Sequence, residues 1–417
     1  MSTIHIVGGG LAGLSAAVAS AAQGASVMLY EAAGQAGGRC RSYYDAALDA
    51  VIDNGNHLVL SGNTAVQEYL RAIGAKDALA GPEHAEFSFA DLGTGARWTI
   101  RPGDGPLPWW IFDSARRVPG TKPWDYASIG LLLTAGRSQR IVDVVSCKGS
   151  LWEKLLRPLL LAALNTEPEK ASAVLAGAVL RETLAKGGLA YRPRIAKPNL
   201  AAAFVEPALA FLGTKGGAMV HLGQRLRRIA FEGDAVAALE FPESTVRLAP
   251  EDTVVLAVPP WVTADLVPEI KTPTEFRSIV NAHFKLAPPP GAPAMLGVIG
   301  GTAEWIFNFA DRISVTVSAA DAIVDKDREA LSWTLWADVA RALGIDSTRP
   351  PWQIVKEKRA TFAATPEQAA LRPGCRTRWR NLLLAGDWID TGLPATIESA
   401  LRSGHKAAQL ACARVAV

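Results

Sequence analysis

Residues 3–31 read "TIHIVGGGLAGLSAAVASAAQGASVMLYE", and few folds accommodate that order. An apolar stretch, Thr3 to Val7, runs into three consecutive glycines; a small-residue segment then fits a helix ending near Gly24, and a second apolar stretch closes on Glu31. Strand, glycine turn, helix, strand, and an acid about 20 residues beyond the glycines together make a dinucleotide-binding fingerprint. Gly8 permits the tight turn and Gly10 lets backbone approach a pyrophosphate, with Leu11 and Ala12 opening the helix beside it; Gly13 lets helix and strand pack closely. Glu31 is placed for ribose hydroxyls and disfavours a 2′-phosphate, so FAD or NAD fits better than NADP.

A chain of 417 residues, 49% hydrophobic and 20% charged, is long enough for two or three domains with large cores. Its formal charge of +3 and the lack of a nucleic-acid-type basic tract argue against a nucleic-acid partner. Cys40, Cys147, Cys375 and Cys412 lie far apart, without CxxC or metal-ligand spacing, which suits a reducing cytoplasm and implies no metal site. The N-terminus has no signal-peptide pattern, and the most apolar spans are interrupted well short of the ~20 residues a crossing needs, so any membrane association is expected to be peripheral.

Beyond Glu31 comes "EAAGQAGGRCRS", where Gly37, Gly38 and Arg39 match the Gly-Gly-Arg turn that follows the ribose-binding acid in the flavin-containing amine oxidase and phytoene desaturase superfamily. The chain resembles that superfamily, which favours FAD over NAD; glycines there permit close backbone approach and the arginine offers a donor fork for phosphate. The C-terminal "NLLLAGDWIDTGLPATIESALRSGHKAAQLA" agrees: a strand, a Gly386-Asp387 turn, and a helix expected to start after Pro394. The resemblance implies that Asp387 contacts the ribityl or phosphate region and that the helix opening at Pro394, Ala395 and Thr396 points its positive end at the flavin ring. "RLRRIAFEGDAVAALEF" reads as paired strands about Gly233-Asp234, and "DTVVLAVPP" as a buried strand. The superfamily places adenine there, with main-chain contacts matching Leu226 and Val258.

The expected fold is therefore α/β: a Rossmann-like, three-layer FAD-binding domain with a mostly parallel sheet, assembled from residues 1–75, 200–261 and 378–417. Residues 76–199 and 262–377 are expected to form a discontinuous α+β substrate domain with a helical, partly membrane-facing subregion. In it, Trp109, Trp110, Phe112 and Trp124 stand beside Arg116, Arg117 and Lys122, ahead of the Leu-rich "LWEKLLRPLLLAALN". This suits an interfacial surface touching anionic headgroups, and equally a tryptophan-rich core beneath a proline-rich loop. No second complete dinucleotide fingerprint and no CxxxxC pair follow, so electrons are expected from an external donor or from the substrate. The C-terminal turn carries Trp388 but no matching second aromatic, which weakens an amine substrate and favours a long, apolar one.

Four segments narrow the resemblance: "IDNGNHLVLSGN" with "TAVQEYLRAIGA", "LAALNTEPEKASA", "NAHFKLAPPPGAPAMLGVIGGTAEWIFNFA", and "LLLAGDWIDTGLPATIESALRSG". Together they look like the bacterial hydroxysqualene dehydroxylase family of squalene-associated FAD-dependent desaturases. The resemblance implies reductive removal of the hydroxyl of hydroxysqualene, giving squalene for hopanoid synthesis at the inner face of a bacterial membrane. A carotenoid-type desaturase and a non-catalytic isoprenoid carrier with structural FAD are the competing readings.

Replacing an allylic hydroxyl by hydride needs a proton donor, a water-poor cavity and stabilisation of positive charge. Trp305 and Phe307 alternate along a strand and can offer aromatic faces to a cation, or serve as plain core. Asp53 and His57 are candidate acids, with Glu182, Glu206 and His283 behind them, because an apolar pocket raises a carboxyl pKa. Asn165 can bond the substrate hydroxyl or cap a helix. Asn54-Gly55, between apolar runs but flanked by the polar Asp53, Asn56 and His57, carries a hairpin signal. Its place after Gly-Gly-Arg instead favours backbone close to the cofactor, making the segment a wall of the active site.

Overall fold

In the computed structural model, which describes residues 2–415, the strand Thr3–Val7 is the middle of a five-stranded sheet. Ser26–Tyr30 and then Ala218–His221 lie on one side of it, Thr253–Leu256 and then Leu382–Leu384 on the other, every pair parallel. Parallel strands covered on both faces must be apolar throughout, and Thr253–Leu256 is buried along its whole length. Ile4, Ile6, Val27, Leu29 and Val255 pack on the helices Leu11–Ala22 and Ile397–Val415. Tyr30, Val254, Leu256 and Leu384 face the antiparallel strands Arg228–Glu232, Ala235–Glu240 and Thr245–Arg247, completing three layers. The two helices touch closely because residue 404 is glycine: a β-carbon there would lie 2.1 Å from the Ala12 carbonyl oxygen.

A second sheet of seven strands takes Phe87–Asp91 and Arg97–Ile100 from residues 76–199 and the other five from residues 262–377. Its order is Trp352–Phe362, Phe276–Phe284, Ile313–Val317, Trp305–Asn308, Met295–Ile299, Phe87–Asp91, Arg97–Ile100. Alternation divides its side chains between two cores. Ala282, Leu296, Ile306 and Val315 join the core built around Trp336 of the helix Arg328–Leu343. Phe89, Trp98, Met295, Trp305 and Phe307 face the opposite way, into the core shared with the helices Ala127–Leu133, Arg157–Leu164 and Ala173–Glu182. Among the described residues no helix is long and apolar enough to cross a membrane.

Two local features take a definite form. The hairpin in this region lies earlier, Ser42–Asp45 against Ala50–Asp53, and Asn54-Gly55 is not its turn. The chain continues past that dipeptide to Leu58–Leu60, which pairs with Pro193–Ala196, so the local turn propensity is overridden by partners outside the segment. The last helix begins at Ile397, three residues after Pro394, because the Thr396 hydroxyl accepts the Ser399 amide at 3.1 Å and caps the end.

Candidate active site

The first helix opens at Gly10, whose φ of −72° is ordinary, yet a β-carbon at that position meets no atom within 4 Å. Gly8 and Gly13 differ: a β-carbon would lie 2.3 Å from the Ala257 oxygen at Gly8 and 1.8 Å from the Gly8 oxygen at Gly13. Packing therefore requires two of the glycines, and the third leaves open space at a helix N-terminus where backbone N–H groups lack intrahelical partners. Gly37 forms a bridge with Gly10 and donates to the Gly9 carbonyl at 2.8 Å, while a β-carbon on Gly38, at φ +56°, would sit 3.2 Å from the Gly10 Cα. Glu31 closes the pocket's side, accepting from the Gly9 amide at 2.6 Å and the Ala33 amide at 2.8 Å. Such a cradle fits a pyrophosphate, with Gly10, Leu11 and Ala12 beneath it and Glu31 at the ribose.

The opposite end of the cradle is made by residues distant in sequence. Arg39 Nη2 donates to Asp387 Oδ1 at 2.7 Å, and Arg39 also reaches the Ala360 carbonyl. The arginine is thus committed to the acid and to a backbone carbonyl. Trp388 lies over Gly386 and donates its indole N–H to the Val258 carbonyl at 2.9 Å, so Val258 holds the closing turn. Arg372 fastens the same turn from behind, bonding the carbonyls of Trp388, Ile389 and Leu393; burial pushes its pKa down to about 10, still far above neutral. Pro394 and Ala395 lead into the Thr396 cap beside this turn, and Leu226 is buried just ahead of the strand Arg228–Glu232.

The chain from Asp53 to His57 runs between this cradle and the seven-stranded sheet. Asn54 is buried, and a β-carbon on Gly55 would press to 3.0 Å on the Asn281 amide nitrogen, which explains the glycine. Asn56 donates to the Thr316 hydroxyl at 3.0 Å, and Thr316 donates to the Asn281 Oδ1 at 2.8 Å. His57 lies next to Arg39 and Asp387; desolvation and then the Arg39 charge push its pKa down to about 4, so it is neutral near pH 7.

Several candidates prove to be structural. Asp53 Oδ1 accepts from the Ser42 hydroxyl at 2.6 Å and the Leu200 amide at 2.9 Å, and its Oδ2 lies 3.8 Å from Arg312, so the carboxylate locks the hairpin to residue 200. Burial raises its pKa and the bonds from Ser42 and Leu200 oppose that, both of them falling on Oδ1. Asn165, at φ +47°, ends the helix Arg157–Leu164, accepting from the Ala319 amide at 2.6 Å and donating to Thr361 at 3.0 Å. It ties three segments together and is not free for substrate. Glu182 is paired with Lys186 and Arg402; burial raises its pKa, but those hydrogen bonds prevail and lower it, keeping it ionised. Glu206 is exposed in a first helical turn. His283 is buried against Ser314 at 2.8 Å, and desolvation followed by the Arg312 charge lowers its pKa to about 4.

Trp305 is 6% exposed and edge-on to Phe89 with centroids 5.6 Å apart, and Phe89 stacks on Trp98 at 5.5 Å. Phe307 shares its face. Gly297 makes room for these rings, since a β-carbon there would sit 2.5 Å from Phe89. Of the polar half of this sheet face, His283 stands out in the sequence as a candidate acid, whereas Asn281, Ser314 and Thr316 do not. Polar residues two apart on two otherwise apolar strands, "SIVNAHF" and "ISVTV", carried the signal. Nor does Glu304 stand out, whose carboxyl burial pushes up to about 7 although the Ser318 amide bonds it at 2.7 Å.

The tryptophan-rich loop divides. Trp110 is core, edge-on to Tyr126 at 5.5 Å, whereas Trp109, Phe112 and Trp124 are 70%, 63% and 67% exposed. Arg116 and Arg117 bond backbone carbonyls of Arg101 and Thr121, so they brace the loop; Lys122 lies over the Trp124 ring.

With a five-stranded parallel sheet that carries a glycine cradle and a seven-stranded sheet that carries an aromatic face, the chain belongs to the flavin containing amine oxidoreductase family, whose model matches residues 11–412. Its cofactor is a flavin, and the dinucleotide cradle makes that flavin FAD. Within the family it falls with the hydroxysqualene dehydroxylases. It is 55% identical to the protein of that name from Rhodopseudomonas palustris over 412 residues, 99% of this chain and 98% of the other. The Sinorhizobium fredii protein of the same name is 52% identical over 98% of each chain. Solved structures share the fold at low identity: putrescine oxidase bound to putrescine at TM-score 0.71 and 17% identity, covering 98% of each chain. Cyclohexylamine oxidase from Brevibacterium oxydans gives 0.72 and 15%, covering 100% of each.

Proposed function

We infer that this chain reductively removes the hydroxyl of hydroxysqualene to give squalene. The observation carrying the inference is identity above half, across nearly the whole length, to a protein named for that reaction. FAD, when bound and reduced, supplies the hydride that replaces the hydroxyl. The chain's own part is to exclude water and to favour positive charge at the carbon losing oxygen. Phe89, Trp98, Trp305 and Phe307 meet both needs, since rings on one buried face keep the cavity dry and offer negative π-faces. His57, neutral and beside Arg39 and Asp387, belongs to the cofactor side of the cavity.

In this reading an external donor reduces the flavin, and the enzyme works on the cytoplasmic face of the inner membrane, held to anionic lipid by Trp109, Phe112 and Trp124. Their exposure together supports a surface that dips into the headgroup region. The test is anaerobic: photoreduced enzyme mixed with hydroxysqualene should reoxidise stoichiometrically and yield squalene. No reoxidation and no squalene would sink the assignment.

A further inference from the structure

Two buried polar atoms on either side of Thr316 have no hydrogen-bond partner: the Trp305 indole nitrogen and the Asn56 side-chain oxygen. Trp305 stands directly across from Thr316 in the sheet, and Asn281 stands across from Thr316 on the other side, so all three side chains share one face. Asn56 reaches that row from the cradle side and spends its amide nitrogen on the Thr316 hydroxyl at 3.0 Å. The Thr316 hydroxyl in turn donates to Asn281 at 2.8 Å. This chain of bonds fixes which way the Asn56 amide points and leaves its oxygen, an acceptor, unpaired. Trp305, whose nitrogen can only donate, supplies the complementary orphan.

One donor and one acceptor flanking the same residue match a single group that both accepts and donates a hydrogen bond. A hydroxyl does so; a hydrocarbon chain does not. We propose that Trp305 Nε1 and Asn56 Oδ1 form the subsite that recognises the hydroxyl of the alcohol substrate, the indole donating to the hydroxyl oxygen and the asparagine accepting its proton. This rests on the reading of the chain as a dehydroxylase and adds to it the groups that orient the leaving oxygen. Unpaired buried polar groups are costly, so the alcohol gains an advantage that the product, lacking oxygen, does not have. The subsite thereby discriminates substrate from product as well as positioning the bond to be broken. Thr316 and Asn281 act through Asn56 and are positioning residues.

The experiment compares equilibrium binding of hydroxysqualene and of squalene to the oxidised, FAD-loaded protein. Wild type should bind the alcohol about tenfold or more tightly than the hydrocarbon. Trp305→Phe keeps the ring and removes the donor; Asn56→Ala removes the acceptor. Each should erase most of that preference while leaving squalene affinity and FAD content unchanged. Equal affinities of wild type for the two ligands would overturn the subsite without recourse to any variant. Variants that retain FAD and the wild-type preference would overturn it too, as would equal weakening toward both ligands, which marks a merely apolar contact. Wild-type turnover of hydroxysqualene alongside such results would leave the dehydroxylase assignment standing, so the two failures are distinguishable.

Discussion

Arg39 and Asp387 meet at 2.7 Å across 348 residues of sequence, joining the Gly-Gly-Arg turn to the turn that precedes the last helix. The Asp387 side chain of the pair is only 9% exposed and Arg39 is more open at 42%. Removing the acid frees the guanidinium and opens the C-terminal turn. Asp387→Ala should lower FAD affinity by about tenfold or more, as expected for a bond between charged partners. Titration of apoprotein with FAD, followed by flavin fluorescence, checks this; unchanged affinity would mean that the pair is incidental to cofactor binding.

Gly10 and Gly13 should respond differently to added side chains. Gly10→Val meets open space in the protein, so the apoprotein should keep its Tm while losing FAD retention. Gly13→Ala meets the Gly8 carbonyl at 1.8 Å and should destabilise the apoprotein by several kcal/mol. Thermal melts of the two apoproteins beside absorbance at the flavin bands separate the cases, and a yellow Gly10→Val protein would contradict the cradle.

Trp109 and Trp110 are adjacent but face different surroundings. Replacing Trp109, Phe112 and Trp124 together with alanine should cut sedimentation with anionic liposomes severalfold and spare the Tm. Trp110→Ala should instead cost about 3–5 kcal/mol of stability, the usual range for a buried large aromatic. Undiminished liposome binding by the triple variant would remove the membrane-facing role from this loop.

Glu304 makes stability depend on pH. Its folded pKa near 7 stands above the ordinary 4.5, so the folded state holds its proton more tightly than the unfolded chain does. Stability is therefore lost as pH rises from 4.5 through 7, and Glu304→Gln should escape that loss. The variant should melt higher than wild type at pH 8, with the gap closing as pH falls toward 4.5. A gap independent of pH would show that the carboxyl titrates normally.

Residues 3–31 determined the nucleotide half without help, because a strand, a glycine turn and a helix are local and each glycine answers a local constraint. The paired strands about Gly233 and the closing turn at Gly386-Asp387 were legible for the same reason. Tertiary structure decided what each polar side chain does. Asn165 and Glu182 carry the right atoms for catalysis, but Ala319, Arg402 and their neighbours consume those atoms, and the Ser42 hydroxyl and Leu200 amide take one oxygen of Asp53. Conversely, Asn56, Thr316 and Trp305 are far apart in the chain and become one row only when the segment after Asp53 lies against the seven-stranded sheet. Burial and hydrogen-bond accounting are properties of the assembled fold, and they separate a side chain the protein has used from one it leaves for a ligand.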